Sequence, residues 1–248
     1  MKYFFKKYID YNEKRKYEHV LIACLPKSGS TFLSDVLVNV TGFDFVQFQP
    51  IRGTNDHNID HHFFYENSNK NTVTQLHIKP NDSNKKIFLK ENIKIVFLYR
   101  DLLSSLKSMH RHILEENNKW FMFSIADGFE SWSIERQFDF IIDLIAPWYI
   151  NFLTAWKKEI SLGELSVLEV NYDDFRKDND KTIHNILNFY GLNYSKERIK
   201  DSLEISYSKK DKLRFNNKEN KIDYKFSDEQ IGKIKSLVSY YPEYAINI

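Results

Sequence analysis

VLIACLPKSGSTF, residues 20–32, is an apolar run that breaks into a loop of small residues and then opens a helix. Val20, Leu21, Ile22 and Ala23 make a run too short for a helix, and such a run suits a strand covered on both faces, as in a parallel α/β sheet. Pro26 ends it. Ser28, Gly29, Ser30 and Thr31 then let the backbone curl around an anion. Next comes TFLSDVLVNVTG, whose Phe32, Leu33, Val36, Leu37 and Val40 form one helical stripe, with Gly42 as its stop. At a helix N-terminus the exposed N–H groups and the helix dipole point the same way, so a strand, an anion loop and a helix start together predict a phosphate, and hence a nucleotide. The loop does not follow the G-x-x-x-x-G-K-[ST] order, because Lys27 precedes its glycine and no glycine stands at the pattern's start.

Working outward, Ile93–Arg100, IKIVFLYR, is the clearest second buried strand. DLLSSLKSMHRHIL follows as a helix with Leu102, Leu103, Leu106, Met109 and Ile113 as its core stripe. Thr72–Ile78 reads as a strand running into Lys79-Pro80, Phe43–Phe48 as a short strand, and Arg52–Asn71 as loop. PWYINFLTAWKKEI places Trp148, Phe152, Ala155 and Trp156 on one helical face, with Pro147 in the first turn. Leu165–Val170 is a further strand, and a helix through Ile183, Ile186, Leu187 and Tyr190 ends at Gly191. Ser227 and Gln230 stand at capping-box spacing before a last helix. Glu115–Glu135 is irregular and aromatic, and reads as a lid or acceptor-binding insertion. Strands that alternate with helices give the α/β class: one domain over residues 1–248, a central, mainly parallel sheet flanked by helices, in a P-loop nucleotide-binding architecture, with residues 1–18 as an N-terminal helical extension. Ligands are expected outside the carboxyl ends of the strands.

Composition narrows the function. Thirty-six basic against 34 acidic side chains leave a net charge of +2, so nothing general invites nucleic acid, and anion affinity must be local. Aromatic residues make up 16% of the chain, enough to build a core without a high share of aliphatics. The one cysteine, Cys24, has no internal partner, falls in the apolar strand and reads as a small core residue in a reducing compartment. No run is long enough to span a membrane, and the expected location is cytoplasmic.

PKSGST resembles the 5′-phosphosulfate loop of the sulfotransferases that use 3′-phosphoadenosine 5′-phosphosulfate (PAPS). YRDLLSSLKS is similar to that family's second motif, in which an arginine and a serine at this separation, here Arg100 and Ser108, hold the 3′-phosphate. LSVLEVNYDDF looks like the segment whose tyrosine, here Tyr172, packs near the adenine. A late basic loop in the family carries an Arg-Lys-Gly triplet. Here it reads Arg214-Phe215-Asn216, so only Arg214 matches, with Lys212 and Lys218 as substitutes. His77 in TQLHIKP occupies the place of the family's general base, whereas the lysine often found two residues earlier is replaced by Gln75.

The resemblance implies a sulfotransferase that moves a sulfuryl group from PAPS to a hydroxyl or amine of a small-molecule or glycan acceptor, with 3′,5′-adenosine bisphosphate (PAP) as product and no metal. Lys27, Ser28, Gly29, Ser30 and Thr31 would hold the 5′-phosphosulfate, with Lys27 stabilising charge in the transfer. His77, as a neutral imidazole, would accept the acceptor's proton. Two other readings stand beside it: a P-loop nucleotide-dependent phosphotransferase, and a catalytically silent nucleotide-binding protein. The acceptor and the oligomeric state are not readable from these motifs.

Overall fold

Six consecutive buried residues, His19–Cys24, form β1, the central strand of the sheet. The computed structural model describes residues 17–49, 58–115, 123–209, 224–246 and 248. Along it run β1, α1 (Ser30–Thr41), β2 (Asp44–Phe45), α2 (His61–Glu66), β3 (Thr72–Leu76), α3 (Asp82–Lys90), β4 (Ile95–Tyr99) and α4 (Leu102–Glu115). There follow α5 (Ile134–Leu144), α6 (Ala146–Leu162), β5 (Val167–Asn171), α7 (Tyr172–Lys177), α8 (Asn179–Tyr190), α9 (Lys196–Ser208) and α10 (Asp228–Val238). The strands form one five-stranded parallel sheet in the order β2-β3-β1-β4-β5. The single α/β domain expected from the alternation is therefore present.

Both faces of the sheet are covered, which is why its strands lack polar alternation. Val20, Ile22 and Cys24 face a core made with α1, α8 and α9, whereas Leu21, Ala23 and Leu25 face a second core made with α3, α4, α5 and α6. Helix α1 thus leaves β1 on one face and α4 leaves β4 on the other. The carboxyl ends of two such adjacent strands are the place where doubly wound sheets bind ligands. Among the described residues no single helix is long and apolar enough to cross a membrane.

The elements differ from the sequence reading mostly where apolar signal is thin, α5 being the exception, with an amphipathic stripe through Phe138, Ile141 and Ile142. Within Arg52–Asn71, expected as loop, α2 forms, capped by Asp60, which accepts from Phe63 N at 2.8 Å. The strand expected over Phe43–Phe48 is reduced to Asp44–Phe45, both exposed at the sheet edge. Helices α3, α5 and α9 were not anticipated. Of the predicted stops, Gly42 and Gly191 cap α1 and α8, and the capping box of Ser227 and Gln230 starts α10.

Candidate active site

The loop after β1 is tied down from within. Leu25 N–H donates to Leu98 O of β4 at 2.9 Å, which binds the loop's first residue to the neighbouring strand. Ser28, fully buried, donates its hydroxyl to Leu25 O at 2.6 Å and its N–H to the same carbonyl at 3.3 Å. Its side chain is therefore spent on shaping the loop, and what it has left for a ligand is position. Lys27 at φ 68° and Gly29 at φ 79° flank it, both left-handed. Glycine adopts that conformation without strain, and lysine does not, so the Lys27 backbone is held there by its surroundings. Gly29 is the N-cap of α1 and has no side chain to cap it, so the first-turn N–H groups of Ser30 and Thr31 are left for an incoming anion. Ser30 is buried and Thr31 exposed. Cys24, just before the loop, is fully buried, and burial pushes its thiol up to about 11. It is a core residue and no nucleophile.

The second anchor is Arg100, directly after β4. Its guanidinium stacks over the Tyr172 ring, 4.5 Å from the centroid. Its Nε is buried with no hydrogen-bond partner. The Asp101 carboxylate lies 4.0 Å away, too far for a hydrogen bond, and accepts instead from Ser104 N at 2.8 Å to start α4. A buried guanidinium N–H without an acceptor is costly, and a bound anion would supply one. Ser108, 9% exposed, stands eight residues further along, within α4. A buried phenol lies beside the loop and feels the Arg100 charge. Tyr149 of α6 lies with its hydroxyl 3.5 Å from Pro26 O, at the outer limit of a hydrogen bond. Burial raises its pKa well above the ordinary value, and the Arg100 charge opposes that rise.

His77 follows β3 directly. Its Nδ1 lies 2.8 Å from Cys24 O. A carbonyl only accepts, so Nδ1 carries the proton and the basic lone pair of the neutral ring sits on Nε2. Burial, followed by the Lys27 charge, pushes the ring from 6.5 down to about 4, while the bond to Cys24 O pulls the other way. At neutral pH the imidazole is thus uncharged and able to take up a proton. Gln75, where the resemblance expects a lysine, donates to Cys24 Sγ at 3.2 Å.

Strand order brings these groups together. Reading β3-β1-β4-β5 across the carboxyl ends gives His77, the Lys27 loop, Arg100 and Tyr172, each from the residues directly after its strand. Arg214, with Lys212 and Lys218, lies outside the described residues, as do Trp120 and Phe121. Of the aromatics expected in the Glu115–Glu135 insertion, Phe129 is fully buried core, whereas Phe123 meets the edge of Trp148 at 6.0 Å. Tyr149 went unrecognised because one aromatic helix position looks like another until the loop beside it is known. Among the described residues no group of three or more His, Cys, Asp or Glu is placed to hold a metal.

A family model described as the sulfotransferase domain matches residues 17–237. Among solved structures, mouse sulfotransferase SULT7A1 complexed with PAP is similar with a TM-score of 0.65 and 17% identity, over 89% of this chain and 82% of that one. A retinol dehydratase in complex with retinol and PAP is 15% identical over 90% of this chain and 80% of that one, with a TM-score of 0.46. No curated protein sequence matches the chain.

Proposed function

The chain belongs to the sulfotransferase domain family, and from that premise we propose that it transfers a sulfuryl group from PAPS to a hydroxyl or amine acceptor, with His77 as general base and Lys27 as electrostatic catalyst. The observation that carries this reading is the row His77, Lys27, Arg100 and Tyr172 along four neighbouring strand ends, with the Arg100 Nε buried and unsatisfied. That nitrogen suits the 3′-phosphate, the group that distinguishes PAPS from ATP. The first-turn N–H groups of α1 suit the 5′-phosphate, and Tyr172 stacks beneath Arg100 at the nucleoside end.

When bound, PAPS supplies an activated sulfuryl group whose bridging S–O bond breaks as PAP departs. His77 Nε2 takes the acceptor's proton as the acceptor oxygen or nitrogen bonds to sulfur. Lys27, held close by its left-handed backbone, meets the negative charge that grows on the bridging oxygen. An anion beside Lys27 also offsets the cationic part of the His77 depression, so the ring gains basicity when the site is filled. The acceptor is a small molecule or glycan that approaches past Phe123 and Trp148. The single buried thiol suits the cytoplasm.

Transfer of label from PAPS carrying ³⁵S tests this directly over a panel of phenols, sterols, amines and sugars. The reading expects labelled product from at least one acceptor class, and tighter binding of PAP than of ATP by calorimetry. Preference for ATP, with no labelled product, would reject it in favour of phosphoryl transfer.

A further inference from the structure

Past β3 the ladder gives way to a single bridge at Ile78, and the carbonyls of residues 78 and 79 also take side-chain partners. Two helices provide them. Trp156 of α6 donates its indole Nε1–H to Ile78 O at 2.9 Å, and Asn84 of α3 donates Nδ2–H to Lys79 O at 2.8 Å. With the His77 Nδ1–H on Cys24 O, three consecutive residues, 77 to 79, are each pinned by a hydrogen bond to a different element.

Both donors are fully buried and themselves immobilised. The Trp156 ring stacks on Phe97 of β4 at 5.5 Å and 23°. Asn84 accepts from Ile59 N at 3.1 Å and donates to Asn58 Oδ1 at 3.0 Å, so both ends of its amide are engaged. Filling the core does not by itself require polar atoms at these two places, since apolar side chains pack buried space without them. What the two polar atoms add is a fixed orientation of the peptides immediately following the histidine.

We propose that Trp156 and Asn84 are positioning residues for His77, holding the Ile78 and Lys79 carbonyls so that the imidazole keeps its Nδ1–H on Cys24 O and presents Nε2 as the base. This rests on the reading of His77 as the base of sulfuryl transfer. A ring held in one orientation in a half-buried position is one whose tautomer, hydration and basicity are all set in advance of the acceptor. Loosening the peptide would let the ring turn and water reach it.

Trp156→Phe keeps an aromatic ring in the core but removes the indole N–H together with part of the ring's volume, so the comparison between backgrounds separates the packing loss from the lost donor, and Asn84→Leu removes the second donor at similar volume. Each is made alone and in a His77→Gln background. The expected result is a fall in kcat of about 10- to 100-fold in the His77 protein, the loss typical of removing an outer partner of an active group. PAP affinity by calorimetry should stay within about twofold, well under the 1.4 kcal/mol that marks a tenfold change. In the His77→Gln background the same substitutions should change kcat little, because the group they position is gone.

The unliganded protein gives an independent readout. The His77 titration, followed by NMR, should move up from about 4 toward 6.5 in Trp156→Phe. Equal fold-losses in both backgrounds, or an unmoved titration with full kcat, would overturn the proposal and leave the two side chains as packing alone. Full turnover by His77→Gln in an enzyme that transfers label from PAPS overturns it through the base assignment. A wild-type protein that binds no PAP and transfers no label overturns the sulfotransferase reading first. If Trp156→Phe does not fold, Asn84→Leu decides by the same comparison.

Discussion

Lys27 has a left-handed backbone that lysine adopts only at a cost, at the point where the proposed mechanism puts its side chain to use. Its removal should therefore strike kcat. Lys27→Ala is expected to lower kcat by about 10²- to 10³-fold, the range for losing one preorganised charge-stabilising donor, with a smaller rise in KM for PAPS, measured by steady-state kinetics. His77 makes a prediction about stability. Its folded-state value of about 4 lies below the ordinary 6.5, so the folded chain prefers the neutral ring. Above 6.5 both states are neutral and there is no penalty. As pH falls from 6.5 to 4 the unfolded chain takes up a proton that the folded chain refuses, and stability is lost by at most about 3 kcal/mol. Urea unfolding at pH 7 and pH 4.5 should show His77→Gln losing less stability on acidification than wild type by about 2 kcal/mol, within the same linkage bound. Equal losses would mean the ring is not shielded. Lys27 and His77 were readable as candidates because each sits at a strand end within a recognisable segment. The tautomer was not readable, because it depends on a carbonyl 53 positions away.

At the scale of elements, helix boundaries followed the residues that cap them. Gly42 closes α1 at φ 73°, and a Cβ there would meet only the Arg198 guanidinium at 3.9 Å, an ordinary contact. Gly42→Ala should cost about 1–2 kcal/mol through backbone conformation alone, read from the denaturant midpoint, with kcat unchanged. Helices with a full apolar stripe, such as α4 and α8, announced themselves. Helix α3 did not: in DSNKKIFLK only Ile87 and Phe88 are buried apolar residues, too few to show a period. Helix α9 is anchored instead through polar groups, with Ser206 donating to Asp35 Oδ2 of α1 at 2.7 Å and Arg198 Nε bonded to Val40 O. Such anchors carry no hydrophobic signature.

At the scale of the whole molecule, the strand order β3-β1-β4-β5 sets the strand ends that carry His77, the Lys27 loop, Arg100 and Tyr172 next to one another. A ligand that bridges two of those strand ends links their stabilities. PAP at 100 times its Kd should stabilise the protein by about 2.7 kcal/mol. For a chain of this size that corresponds to roughly 5–10 °C in Tm by calorimetry. ATP at the same concentration should give a smaller shift, and Arg100→Ala should erase the difference between the two nucleotides. If PAP left Tm unmoved, the proposed donor site would be refuted.

The chain's own pattern determined the first strand, its anion loop and the helix that follows, because apolar runs, small residues and caps act over neighbouring positions. The resemblance of its short segments to a known family also marked Lys27, Arg100 and Tyr172, and His77 through its interval before Arg100. Only the tertiary structure decided that their strands stand next to one another, that Arg100 Nε is buried without an acceptor, and that Tyr149, Trp156 and Asn84 reach the loops beside them. Those facts depend on contacts between residues far apart in sequence. Such contacts form because both faces of the sheet must be covered, and local periodicity does not say which helix covers which strand.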